Sequence, residues 1–329
     1  MLSEVHSMKR LCRLLNIEYP IIQGGMGNIS NATITSAVSN AGGLGTIGSG
    51  VMTPEEVEKL IVETKSKTSK PFAINIPINV NPHSKELVDL AIKQQVPVVS
   101  LSAGNPAAFI DKLHDAGIKV IVVVAAVKHA QKAEAAGADV LVAEGFEAAG
   151  INSNLELTTM TLIPQITKAV SIPVVAAGGV GDGRGLAAAL MLGASGVQMG
   201  TRFIATQEMP VHAYYKERLL KASDQETMVL GRSVNQVRRV LRDTYAKNIL
   251  EQEKAGITLE EYNEKTSEPY HIKGAIEGNG EEGYMNSGQI AGLINHLPTV
   301  EELIQDIMKE MREQLAVVYN EYNVEEASI

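Results

Sequence analysis

The feature that most constrains the fold is an alternation of short apolar runs with helix-length segments, repeated eight times before residue 204. The apolar runs are rich in Val and Ile, which is typical of parallel strands covered on both faces. Helices fit into every gap, and several end on a glycine, the residue that terminates a helix most easily. The predicted strands are residues 20–25, 44–48, 72–78, 96–102, 119–125, 139–144, 172–177 and 196–203.

This alternation predicts a parallel α/β fold. A closed (β/α)8 TIM barrel is favoured over an open doubly wound sheet, because eight units are present and no Gly-x-Gly-x-x-Gly opens the first helix. The 329 residues suffice for a barrel of about 250 residues and an added lobe. We predict a barrel domain at 1–211, an inserted C-terminal helical lid domain at 212–290 without strands, and a helix returning to the barrel at 291–329.

The composition and charge argue against several classes of protein. The net charge is −9 with no block of Lys or Arg, which argues against a nucleic-acid partner. The single Cys12 excludes an internal disulfide and indicates a reducing compartment. The longest aliphatic run, residues 120–127, is far short of the ~20 residues that span a bilayer. The sequence therefore predicts a cytoplasmic protein with no membrane partner, and the histidine spacing predicts no metal site.

Two glycine-bearing strand ends predict an anion site. Gly178 and Gly179 follow the seventh predicted strand, and Gly200 and Thr201 lie within the eighth, one helix further along. Backbone without side chains lets N–H groups approach an anion closely, and these two strand ends are where (β/α)8 barrels commonly bind phosphate. The sequence therefore predicts a ligand anchored by its phosphate.

Four runs together resemble a known family. They are Gln23-Gly24-Gly25-Met26, the residues 144–148 and 176–184, and Gln198-Met199-Gly200-Thr201-Arg202-Phe203. They resemble the nitronate monooxygenase (2-nitropropane dioxygenase) family, which includes flavin-dependent enoyl-ACP reductase II enzymes and NAD(P)H:quinone reductases. The resemblance extends from Pro20 to about Leu293, and it implies an FMN-binding barrel with a helical lid.

The resemblance also implies roles for individual residues. Gly24, Gly25 and Met26 would line the isoalloxazine ring, and Asn75 would reach it from the third strand. Four residues would hold the FMN phosphate, namely Gly178, Gly179, Gly200 and Thr201. Three further cofactor-binding candidates come from the sixth strand and the loop and helix after it, namely Glu144, Gly150 and Gln165.

One departure from the family pattern concerns catalysis. Many members carry Glu-Ala-Gly-Gly-His after the sixth strand, whereas this chain has Ile151 at the histidine position. Isoleucine neither donates nor accepts a proton, so general acid or base chemistry is lost at that point. Asn152 and Ser153 follow and offer hydrogen bonds, but neither is a competent base unaided. No catalytic residue is assigned from the sequence.

The resemblance favours one function, FMN-dependent oxidation of alkyl nitronates by O2, with little turnover of neutral nitroalkanes, because those require a base. The alternative is NADH- or NADPH-driven reduction of quinones or of enoyl-ACP and enoyl-CoA thioesters, although an enoyl group needs a proton that Ile151 cannot give. A third hypothesis is flavin binding without catalysis. The expected partner is a small-molecule substrate, and a homodimer is compatible with the sequence.

Overall fold

Eight parallel strands form a closed (β/α)8 TIM barrel. The structure is a computed structural model that describes residues 2–326, with the side chains of residues 8–321. Neighbouring strands pair in the order β1-β9-β8-β6-β5-β4-β3-β2, and a bridge between Ile22 and Leu44 closes the ring. The barrel strands are β1 (Ile21–Gln23), β2 (Gly45–Gly48), β3 (Phe72–Pro77), β4 (Val98–Ser102), β5 (Lys119–Val124), β6 (Val140–Glu144), β8 (Val174–Ala177) and β9 (Gly196–Met199).

Helices surround the barrel as the sequence predicts. Some of their first turns are capped by side chains: Asn31 accepts from the amides of Thr33 and Ile34, and Asp182 accepts from that of Gly185. These helices are α1 (Leu2–Leu15), α2 (Ala32–Asn40), α3 (Pro54–Lys67), α4 (Ser84–Lys93), α5 (Ala107–Asp115), α6 (Val127–Ala135), α7 (Thr159–Ala169), α8 (Gly183–Met191) and α9 (Thr201–Ile204), with a 3-10 turn at Gly27–Ile29.

All eight predicted strands are present, but the end of the last one is wrong. The sequence predicts a strand over residues 196–203, whereas β9 ends at Met199 and α9 begins at Thr201. Gly200 stands between them with helical backbone angles. The apolar pattern continues through Phe203 because α9 is buried, and a short buried helix has the same composition as a buried strand.

The barrel is closed at its amino-terminal end and open at its carboxyl-terminal end. Leu11 and Leu15 of α1 pack with inward-facing residues of the strands, among them Ile22, Val98 and Val175. A Cβ atom on Gly196 would lie 2.7 Å from Leu11, which shows how tightly α1 fills this end. Ligands therefore have access to the strands only from the opposite end.

The lid, residues 212–290, contains strands as well as helices, whereas the sequence predicts helices alone. It contains an antiparallel hairpin of β10 (Thr227–Leu230) and β11 (Arg238–Leu241), and β11 also pairs with the two-residue β7 (Gly150–Ile151) of the barrel. The three strands form a small sheet that joins lid and barrel. Helices complete the lid: α10 (Ala213–Leu220), α11 (Thr244–Lys254), α12 (Leu259–Lys265) and α13 (Glu268–Ala275), followed by a 3-10 turn at Gln289–Leu293.

The last helix, α14 (Val300–Glu326), packs against α8 and α2 on the outside of the barrel. A Cβ atom on Gly183 would lie 2.5 Å from the backbone nitrogen of Met311 and 2.6 Å from the carbonyl oxygen of Ile307. The Gly183 amide also donates to Glu310 of α14 at 2.7 Å. None of the helices among the described residues has the length and apolar character needed to span a membrane.

Candidate active site

A cavity of about 1100 Å³ lies at the carboxyl ends of the barrel strands, beneath the lid. It brings together almost all the site residues that the sequence predicts. They are Gly24, Gly25, Met26, Asn75, Glu144, Gly150, Ile151, Asn152, Ser153, Gly178, Gly179, Gly200 and Thr201.

Gln165 is the exception, because the structure does not bring it together with the other predicted site residues. It lies on the exposed face of α7, outside the barrel, and does not line the cavity. Its side-chain amide donates to the carbonyl oxygen of Thr161, one helical turn earlier, at 2.7 Å. The helix that carries it begins at the cavity but directs this position toward solvent.

The glycines after β8 and β9 form a cradle of free backbone amides. Gly178 and Gly179 have φ of +87° and +74°, a conformation that side chains strongly disfavour. The amides of Gly178, Gly179 and Gly200 donate to no backbone carbonyl of the described chain. A Cβ atom on Gly200 would meet nothing closer than Met26, at 3.8 Å, so a side chain there would occupy cavity space. This cradle fits a phosphate group.

Thr201 contributes to the cradle in two ways. It begins α9, whose first amides lack partners within the helix. Its hydroxyl oxygen accepts a hydrogen bond from the Gly288 amide at 2.9 Å, which fixes the last loop of the lid against the barrel. Because the hydroxyl hydrogen is not used in that bond, Thr201 can still donate to an anion.

The Gly24–Met26 segment and Asn75 form a neighbouring part of the cavity wall. A Cβ atom on Gly25 would lie 2.5 Å from that of Asn75, so glycine here permits close packing against Asn75. The Asn75 amide nitrogen donates to the Ser100 carbonyl at 3.3 Å and the Ser102 hydroxyl at 3.2 Å. Asn75 is therefore held by the neighbouring strand rather than by its own turn, and its position on the cavity wall is fixed.

Glu144 is an ionisable group at the base of the cavity. It ends β6 and lines the cavity, where burial raises the pKa of its carboxyl to about 7. A carboxyl that exchanges its proton near neutral pH is suited to acid–base chemistry. The sequence predicts only a cofactor contact for Glu144. Its raised pKa was missed because the residue type does not show that the side chain is buried.

The loop after β6 is shaped by its own polar side chains. The Asn152 amide donates to the carbonyl oxygens of Ala148 at 3.0 Å and Gly150 at 3.1 Å, and the Ser153 hydroxyl accepts from the Leu155 amide at 3.2 Å. These contacts give Asn152 and Ser153 structural roles in the loop. Ile151 itself is half exposed and pairs with Arg238 of β11.

Polar residues of the lid reach the same cavity, together with Tyr284, and the sequence did not point to them. Among them are Arg238, Glu268, His271 and Asn286. The Arg238 guanidinium lies 5.2 Å from the centre of the Tyr284 ring and donates to the Asn286 side-chain oxygen at 3.3 Å. The His271 ring stacks on Tyr284 with the ring centres 5.3 Å apart. Nothing in the sequence indicates this convergence, because it depends on how the lid packs over the barrel.

Comparison with known proteins finds one matching family and several similar proteins. The family model described as nitronate monooxygenase matches residues 8–86 and 78–310. The structure of FabK from Thermotoga maritima is 44% identical, with a TM-score of 0.91 over 94% of this chain and 98% of that one. An indene-carboxyl-CoA dehydrogenase from Rhodococcus jostii is 36% identical over 91% of this chain and 94% of its own length. A probable nitronate monooxygenase from Staphylococcus saprophyticus is 32% identical, covering 92% and 98%.

Proposed function

The chain belongs to the nitronate monooxygenase family of flavin-dependent oxidoreductases, and on this premise we propose that it reduces the carbon–carbon double bond of an enoyl thioester, using FMN and NADH or NADPH. Two relatives support this substrate class. FabK, which is 44% identical, is an enoyl-ACP reductase II, and the Rhodococcus protein is named for a CoA thioester.

The cavity supports FMN as the flavin. The amides of Gly178, Gly179 and Gly200 would hold its phosphate, and the wall from Gly24 to Met26 would lie along its ring. When bound, FMN supplies a ring that accepts a pair of electrons from a nicotinamide and passes it to an acceptor. The volume of about 1100 Å³ exceeds the roughly 300–1,000 Å³ of most single-ligand pockets, which leaves room for a substrate beside the cofactor.

The observation that carries the choice of reaction is the set of ionisable groups in the cavity. Reduction of an enoyl group adds a hydride at one carbon and a proton at the next, and Ile151 offers no proton. Glu144 and the lid residues Glu268 and His271 lie in the same cavity and are able to exchange protons. The objection that the sequence raises against thioester reduction is thereby removed.

The test begins with the absorbance spectrum of the purified protein, which should show bound flavin. Anaerobic addition of NADH or NADPH is expected to bleach the flavin, and subsequent addition of crotonyl-CoA or crotonyl-ACP should restore the colour with formation of the saturated thioester. A flavin that neither nicotinamide reduces, or a reduced flavin that no enoyl thioester reoxidises, would refute the proposal.

Oxidation of alkyl nitronates is the second candidate, and the Staphylococcus relative favours it. In that case a nitronate, rather than a nicotinamide, would bleach the flavin under anaerobic conditions. The predicted preference for nitronates over neutral nitroalkanes rests on Ile151 alone. Because Glu144 and Glu268 are alternative bases in the cavity, that preference stays a prediction for the same assay.

A further inference from the structure

The lid presents an unpartnered carboxylate to the cavity. Glu268 opens α13, and its Oε1 atom is buried without a hydrogen-bond partner among the described residues. Its Oε2 atom would lie 3.9 Å from a Cβ atom on Gly27, so the carboxylate stands directly above the loop that follows Met26. A buried acceptor without a donor is costly, and such a group in a cavity wall indicates that a ligand completes its hydrogen bonding.

His271 lies one turn further along α13 and faces this carboxylate. Its Nδ1 atom is 3.7 Å from Oε1 of Glu268, and its Nε2 atom is 3.3 Å from the side-chain nitrogen of Asn286. Arg238 donates to the Asn286 oxygen, which fixes the orientation of that amide with its nitrogen toward His271. The imidazole Nε2 therefore accepts a hydrogen bond, and the ring hydrogen is on Nδ1, directed at Glu268.

Two ionisable groups of the lid interact with Glu268, namely His271 on the same helix and Tyr284 from the loop after α13. Arg238 from β11 lies over the Tyr284 ring. The pKa of the Tyr284 phenol is raised by burial, and the negative charge of Glu268 adds to this effect. The Glu268 side chain is 18% exposed, so it also has contact with water.

Glu268 and His271 are linked through Asn286 and Arg238 to the loop that carries Ile151, where the family histidine is absent. A Cβ atom on Gly150 would lie 3.8 Å from the Asn286 side-chain oxygen, so Asn286 links the His271 ring to the loop that carries Ile151. Ile151 is also the register partner of Arg238. The lid residues therefore stand beside the point where the family histidine would be.

We propose that Glu268 is the proton-transfer residue of this site, that His271 positions it, and that together they replace from the lid the imidazole missing at residue 151. This inference rests on the proposed thioester reduction. In that reaction bound FMN would supply the hydride for the β-carbon of the double bond, and Glu268 would give its proton to the α-carbon. Glu268 is left as a carboxylate facing the Nδ1 hydrogen of His271, and a proton from water restores it.

The first experiment separates the two halves of the reaction in Glu268→Gln, His271→Gln and the exposed lid control Glu277→Gln. Flavin reduction by NADH or NADPH should stay within about twofold of wild type in all three, which also shows that they are folded and carry flavin. Reoxidation by crotonyl-CoA should fall by about 10²–10⁴-fold in Glu268→Gln, and less in His271→Gln. An unchanged reoxidation rate in Glu268→Gln would overturn the proposal.

The second experiment measures binding without turnover. Calorimetric titration with butyryl-CoA, in buffers of different ionisation enthalpy, gives the number of protons taken up when the acyl chain covers Glu268. Wild type and Glu277→Gln should take up protons that Glu268→Gln does not. Equal uptake in Glu268→Gln would assign the proton to Glu144 instead and overturn the inference. If wild type neither binds nor reduces the thioesters, the proposed function is refuted and the role of Glu268 falls with it.

The positioning role of His271 has its own readout in the same titrations. Removing the imidazole should leave the affinity for butyryl-CoA nearly unchanged, because His271 does not contact the acyl chain. It should alter the pH dependence of proton uptake, because Glu268 loses the Nδ1 hydrogen that faces it. If His271→Gln has the wild-type pH dependence, His271 does not position Glu268.

Discussion

At the scale of single residues, two carboxyl groups share one cavity in different surroundings. Glu144 sits at the end of β6, where burial alone raises its pKa to about 7. Glu268 comes from the lid and faces His271. Two acids in unlike environments can take different roles in one reaction.

Glu144 should make the stability of the flavin-free protein depend on pH. Its pKa in the folded state lies above the ordinary value of 4.5, so the unfolded state ionises first as the pH rises. Its contribution to stability is therefore complete below about pH 4.5, declines from there to about pH 7, and is lost above that. A pKa of about 7 corresponds to at most about 3 kcal/mol, and partial exposure reduces this to about 2 kcal/mol.

The substitution Glu144→Gln tests this dependence. Urea unfolding at pH 4.5 and pH 8 should show that Glu144→Gln gains about 2 kcal/mol relative to wild type over that interval. The exposed Glu277→Gln should show no such gain. Parallel pH dependences in wild type and Glu144→Gln would mean that the carboxyl is solvated in the folded protein.

The sequence predicts site residues that are required by the local backbone, but not those that only tertiary packing brings together. Gly178, Gly179 and Gly200 were found because backbone approach at two strand ends leaves a visible pattern. Glu268 and His271 were not found, because an acid and a histidine three positions apart on a charged helix are usually solvated. Only the packing of α13 over the first barrel loop gives them a common role.

At the scale of elements, helix packing explains the glycine at the first position of α8. Gly183 begins α8, and its missing side chain lets α14 approach within contact of the backbone. Glu310 then accepts from the Gly183 amide, and Arg184 lies 3.5 Å from the same carboxylate. The terminal helix is thus fixed to the barrel beside the strand that carries Gly178 and Gly179.

Replacing Gly183 by alanine should therefore destabilise the protein by about 1–3 kcal/mol, because the new methyl group would overlap the backbone of α14. Gly185→Ala, on the same helix, is the matched control. Its methyl group would meet the Val180 side chain at 3.1 Å, a contact that can relax, and alanine favours the helix. Chemical unfolding measures both variants, and equal stabilities would contradict the packing argument.

The barrel elements were predictable, whereas the lid hairpin was not. Val- and Ile-rich runs at regular spacing identify barrel strands because each is buried on both faces. The strands β10 and β11 have four residues each, and their sequences, Thr-Met-Val-Leu and Arg-Arg-Val-Leu, show no strict alternation of polar and apolar residues within a mainly helical region. Their pairing is completed by β7, which lies almost ninety residues earlier, and no local pattern could predict that contact.

At the scale of the whole molecule, cofactor binding and folding stability are linked. A ligand present at 100 times its dissociation constant stabilises the folded state by about 2.7 kcal/mol. Addition of FMN to the flavin-free protein should therefore raise the unfolding temperature by several degrees. Riboflavin, which lacks the phosphate, should raise it much less if the glycine cradle holds that group.

The substitution Gly200→Ala tests the role of the cradle in phosphate binding without disturbing the rest of the fold. Gly200 has φ of −110° and open space where a Cβ would lie, so the flavin-free variant should be as stable as wild type. Its methyl group should lower the FMN affinity at least tenfold, about 1.4 kcal/mol, and roughly halve the thermal shift at the same FMN concentration. Wild-type FMN affinity in Gly200→Ala would place the phosphate elsewhere.

The small sheet that joins lid and barrel restricts where a substrate can enter the cavity. Backbone pairing of β7 with β11, and two hydrogen bonds from Arg239 to the Phe146 carbonyl at 3.0 and 3.1 Å, bind one margin of the lid to the loop after β6. Any widening of the entrance is therefore expected along the rest of the rim, away from this joint, where residues such as Asn105 and Lys132 line the cavity. A bulky carrier would then remain outside that part of the rim and pass only its acyl chain inward, toward Glu268.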